Sequence, residues 1–79
     1  MHISQKLKEL REAKKMTLKK VSKQGILTLR FLTRLENGVD ISHYHEHTIK
    51  SLGRLYGASE ELIQKLVEAS QSQNGYVEE

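Results

Sequence analysis

Leu29, Arg30, Thr33 and Arg34 are side chains of the kinds that read the edges of nucleic-acid bases, and they lie within six positions of one another. An arginine guanidinium can hold guanine O6 and N7 in a two-pronged grip, and an exposed leucine can meet a thymine methyl. A few residues earlier, Lys19 and Lys20 follow Thr17, which is a good helix N-cap. A helix start carries partial positive charge, so stability alone favours acids there, and two lysines cost about 0.3–1 kcal/mol each. An anion docked at that end reverses the sign, because backbone N–H groups and lysines then converge on it. The helix starting after Ser59 follows the ordinary rule, with Glu60 and Glu61 in its first turn. The contrast points to a phosphate near Lys19 and Lys20, although exposed lysines also arise as plain solvated surface.

Other chemistry is thinly represented. His43, His45 and His47 surround Glu46 in the run HYHEH. In a strand all three histidines would share a face; in a helix only His43 and His47 would. Two helical histidines and a carboxylate can hold zinc or nickel, but nothing fixes a fourth ligand, so an exposed loop and helix start is the favoured reading. The chain has no cysteine, which excludes a disulfide framework and a thiolate zinc site. No serine sits in a nucleophile context and no glycine-rich loop could cradle a phosphate. Glu60 and Glu61 serve a helix N-terminus. The expectation is a protein that is not an enzyme and needs no cofactor, metal or small-molecule ligand.

Charge is segregated along the 79 residues. Residues 1–36 carry ten lysines and arginines against three acids, a net of +7, whereas residues 37–79 carry three against seven, a net of −4. A basic half beside an acidic half is the footprint of a face that binds a polyanion, and a lysine-rich solvated surface is the competing account. No apolar run approaches the ~18 residues of a membrane span, and the opening MHISQKLKEL does not read as a signal peptide. A soluble, cytoplasmic protein is expected.

The elements that must position these residues are helical throughout. Ile3, Leu7 and Leu10 form an i, i+4, i+7 stripe, which predicts a first helix over about 3–14. Thr17 opens a second helix, with Met16 and Val21 placed for a hydrophobic staple, and Gly25 breaks it. Thr28 can cap a third helix whose Leu32 and Leu35 face inward and which stops at Asn37-Gly38. A fourth runs from about His45 to Tyr56 with Ile49 and Leu52 inward, and Gly57 ends it. Ser59 caps a fifth carrying Leu62, Ile63, Leu66 and Val67. This predicts one compact all-α domain over residues 1–70, a bundle of five helices, followed by a polar, flexible tail over 71–79. So small a domain buries only ~60–65% of the surface its unfolded chain exposes, so its stability should be modest.

The run from LKELREAKKMTLKKVS to TLRFLTRLENG resembles the Xre/Cro group of helix-turn-helix proteins, whose DNA-binding domains are lambda-repressor-like five-helix bundles. The helix-turn-helix would span about residues 17–36, and TIKSLGRLYGASEEL resembles the family's fourth helix and the start of its fifth. The resemblance implies that Leu29, Arg30 and Arg34 face base edges, with Thr33 at the margin. It places Thr28, Lys19, Lys20, Lys23 and Asn37 near phosphates. It also implies an ion pair between Arg11 on the first helix and Glu36 at the exit of the third. The turn departs from the pattern: Ile26 stands where glycine is usual, and Gly25 stands where an apolar residue is common. A β-branched residue at positive φ is costly, so the turn must shift by a residue or adopt another conformation.

The resulting expectation is a sequence-specific transcriptional regulator, a repressor that inserts residues 28–35 into the major groove of double-stranded DNA. It would act as a homodimer on a near-palindromic operator, with Leu62, Ile63, Leu66 and Val67 of the fifth helix as candidates for the dimer contact and core packing as their alternative. The rival from another class is a protein-interaction adaptor, or an antitoxin-like module, that keeps the fold and acts through a protein partner.

Overall fold

Four of the five helices begin on a side chain that accepts a hydrogen bond from a first-turn backbone N–H. The computed structural model describes residues 1–78 and has α1 at Ile3–Ala13, α2 at Leu18–Ser22, α3 at Leu29–Glu36, α4 at Glu46–Leu55 and α5 at Glu60–Gln71. His2 Nδ1 caps α1, accepting from Ser4 N–H at 3.1 Å. Thr17 accepts from Lys20 N–H, Thr28 from Phe31 N–H and Ser59 from Leu62 N–H. Each such bond satisfies a donor that the helix itself leaves orphaned. His45 precedes α4 with no side-chain cap, and Glu46 supplies negative charge in that first turn.

The stop of α3 is as local as its start. Gly38 lies at φ +76, and its N–H donates to Leu35 C=O while Val39 N–H donates to Arg34 C=O. This paired closure needs a left-handed residue just past the helix, which glycine adopts without a Cβ penalty. A short 3-10 turn, Ile41–His43, then leads into α4.

Burial follows the helical stripes. Ile3, Leu7, Val21, Leu32, Leu35, Ile49, Leu52, Tyr56, Leu66 and Val67 meet in one core. α4 packs on α5, α2 packs on α3, and α1 lies against α3, α4 and α5. The radius of gyration is 11.0 Å, close to the ~12 Å of a single domain this size, so the described chain is one unit. Among the described residues there is no strand, only an isolated antiparallel bridge between His2 and Tyr76. No described helix is long and apolar enough to cross a membrane.

Residues 72–78, polar enough to read as a flexible tail, pack back on the N-terminus. Ile3 N–H donates to Gly75 C=O and Val77 N–H donates to Met1 C=O, both at 2.8 Å. Val77 is buried in the core. The polar residues themselves build the turn that brings it there. Ser72 Oγ accepts from Gly75 N–H, and Asn74 Oδ1 accepts from Tyr76 N–H. Glu79, the last residue of the expected tail, lies outside the described residues.

The row on α5 divides between core and surface. Ile63, Leu66 and Val67 are at most 2% exposed within the single chain, so they take the core alternative. Leu62 alone keeps part of its surface in solvent.

Candidate functional site

Burying Leu32 and Leu35 fixes how α3 is rotated, and the rest of its side chains follow from helical geometry. Leu29, Arg30 and Thr33 are exposed and Arg34 is half-buried, so all four reach one solvent-facing side. Thr28 and Asn37 are exposed at the two ends of the helix. Lys19, Lys20 and Lys23 are exposed on and just after α2, whose first turn holds no acid. Among the described residues nothing pairs with Lys19, Lys20, Lys23 or Arg30. Their side chains face solvent.

The left-handed residue between α2 and α3 is Gly25 and not Ile26. Gly25 sits at φ +79, while Ile26 avoids positive φ and packs, half-buried, against the core together with Leu27. A Cβ built on Gly25 would meet nothing within 4 Å, so the position needs glycine for its backbone angle rather than for space.

The axis of α3 is set by an ion pair at its far end. Arg11 Nε donates to Glu36 Oε2 at 2.7 Å and Nη2 donates to Oε1 at 3.0 Å. Arg11 Nη1 also donates to Met16 C=O at 2.7 Å, so one guanidinium joins α1, the turn into α2 and the end of α3. The two side chains are 11% and 8% exposed, which leaves the pair largely shielded from solvent. The Glu36 hydrogen bond raises the Arg11 pKa above its ordinary value, outweighing the opposing effect of burial. Burial pushes the neighbouring Tyr56 phenol up to about 12, with Glu36 adding to the rise and Arg11 opposing it.

Beside the solvent-facing side of α3 runs a groove of about 360 Å³, bounded by Leu27, Arg30, Phe31 and Arg34 and, opposite them, by Asp40 and Tyr44. Arg34 Nη2 donates to Asp40 Oδ2 at 2.7 Å. The Tyr44 hydroxyl donates to Phe31 C=O at 3.0 Å and pins the loop to the helix. Burial raises the Tyr44 pKa, Arg34 opposes that rise and Asp40 adds to it. Phe31 and Leu29 are each 46% exposed. Neither Phe31 nor Asp40 stands out in the sequence. Phe31 sits between the inward and outward stripes, and Asp40 reaches Arg34 only through the loop's fold. The signal available was the lone aromatic in a basic helix.

The histidines separate. His43 ends the 3-10 turn, Tyr44 is extended, and His47 lies in the first turn of α4, so His43 and His47 share no helix. The His45 and His47 rings stack with centroids 5.6 Å apart. Among the described residues no three histidines, cysteines or acids gather where they could hold a metal ion.

Thr33 directs its hydroxyl hydrogen to Leu29 C=O at 2.8 Å, leaving oxygen lone pairs for an outside donor. Compared with protein-family models, curated proteins and solved structures, the chain matches none of them.

Proposed function

We propose that this protein binds double-stranded DNA sequence-specifically, with α2 and α3 acting as a helix-turn-helix of the Xre/Cro, lambda-repressor-like kind. The observation that carries the reading is the division of α3. Leu32 and Leu35 are buried in the core, and Leu29, Arg30, Thr33 and Arg34 stand together on its solvent side. A helix about 10–12 Å across fills a major groove, where arginines meet guanine and threonine meets either base type. Lys19, Lys20, Lys23, Thr28 and Asn37 flank that helix at positions suited to backbone phosphates, which orient the protein without reading sequence.

Repression follows from occupancy: a protein seated on a promoter excludes polymerase. Two copies on a near-palindromic operator would set their α3 helices about 34 Å apart, one turn of the duplex. Their contact would have to use surface other than Ile63, Leu66 and Val67. Selection of binding sites from random duplexes tests the whole reading. A motif with two inverted half-sites supports a dimeric reader, a single half-site supports a monomer, and recovery of no motif sinks the proposal.

The second reading, a protein-interaction adaptor, draws on the same helix. Leu29 and Phe31 expose apolar surface on either side of Arg30. Under that reading Phe31→Ser abolishes partner binding while Arg30→Ala is tolerated.

A further inference from the structure

Of the four outward residues on α3, Arg34 alone has a charged partner within the described chain. Its Nη2 sits 2.7 Å from Asp40 Oδ2, with the two side chains 39% and 50% exposed. Arg30, one turn earlier, has none. Asp40 bears a conformational cost to be there. Its backbone lies at φ 52, ψ 42, a left-handed conformation shared by only one other non-glycine residue among those described, Lys15. Asp40 also occupies the cap position of the 3-10 turn, yet its carboxylate makes no capping hydrogen bond. His43 N–H bonds to the Asp40 backbone carbonyl instead. The carboxylate is thus directed at Arg34 and at nothing else that the turn requires.

We infer that Asp40 is a specificity determinant, a built-in competitor for Arg34 that penalises indiscriminate contact with DNA. The inference rests on the DNA-binding proposal. A carboxylate beside the arginine holds the guanidinium in an exchangeable pair, which any contact from Arg34 to DNA must first break. At a phosphate Arg34 only exchanges one anion for another, so the contact gains little beyond what Asp40 already gives. A guanine edge offers two acceptors in the plane of the guanidinium fork and displaces the carboxylate. Discrimination then comes from an internal competitor that wrong sequences displace poorly as well as from attraction to the right one. The groove beside α3 leaves Arg34 room to swing off Asp40, since both line it.

The test is Asp40→Asn, which removes the charge and keeps a residue that tolerates the left-handed backbone. Affinity is measured for a random duplex and for a duplex recovered by selection, over a range of salt. The expected result is that random-duplex affinity rises about two- to fivefold, the scale an exposed ion pair supports. Selected-duplex affinity rises less, so the ratio between them falls. The random-duplex salt dependence steepens by up to about 0.9 in log–log slope, one further counterion released. All of these changes vanish when Asp40→Asn is made on an Arg34→Ala background. If Asp40→Asn raises both affinities by one factor, or acts equally without Arg34, the inference is overturned while the DNA-binding reading stands. If the native chain binds no duplex preferentially, that reading fails and the inference falls with it.

Discussion

Arg11 and Glu36, 25 positions apart in the chain, face each other through two parallel hydrogen bonds of 2.7 and 3.0 Å. The fork holds the end of α3 to α1, and the third bond, to Met16 C=O, fixes the turn that introduces α2. Every candidate contact residue on α2 and α3 therefore takes its direction in part from this one guanidinium.

Arg11→Ala should cost about 2–4 kcal/mol, near the lower end of the range for removing one partner of a buried pair, since some solvent still reaches this one. The loss should appear as a lower urea midpoint and a melting temperature reduced by ~8 °C or more. Replacing both partners, with Arg11→Met and Glu36→Leu, should cost less than the single change, because no charge is then left stranded. A single-variant loss below about 0.5 kcal/mol would show that the pair is energetically idle.

Stability should fall at alkaline pH through Tyr56. Its phenol titrates at about 12 in the folded protein against an ordinary 10, because burial disfavours the charged form. The contribution is complete below pH 10 and is lost as pH rises from 10 through 12, because the unfolded chain deprotonates first. By about pH 11 the loss is about 1 kcal/mol. Urea midpoints of native protein and Tyr56→Phe, compared at about pH 9 and about pH 11, isolate this part from lysine titration. The native midpoint should fall further than the variant's, and equal falls would refute the assignment.

Ending the chain after Asn74 should destabilise it by about 2 kcal/mol, the scale of burying one aliphatic side chain. Val77 would leave the core, and Ile3 N–H would lose the Gly75 carbonyl that accepts from it. Val77→Ser should reproduce most of the effect. A truncated chain as stable as the full one would mean that this segment adds nothing.

Under the DNA-binding proposal, arginine and lysine variants should fail differently. Arg30→Ala should cost about 1–3 kcal/mol on the selected duplex and relax preference at one base position. Lys19→Ala or Lys20→Ala should weaken all duplexes alike and flatten the salt dependence by up to about 0.9 per phosphate contact. Competition binding against a panel of single-base variants separates the two patterns. If Arg30→Ala weakens every duplex equally, Arg30 is a phosphate contact.

What the sequence determined by itself is local. Thr17, Thr28 and Ser59 mark helix starts, Gly38 marks a stop, and Leu32 with Leu35 sets the rotation of α3. Such signals act over three or four residues, the span of one helical turn, so they survive translation from sequence to structure. Tertiary structure decided whatever depended on competition for burial or on distant partners. Ile63, Leu66 and Val67 look alike for a dimer face and for a core, and the packing of α4 on α5 gave them to the core. Val77 lies among polar residues, and only the turn at Ser72 and Asn74 swings it inward. Asp40 reads as one more loop acid until a left-handed backbone brings its carboxylate to Arg34. Short-range rules placed the outward arginines on one helix, and the fold of the loop that follows it decided which of them is already engaged.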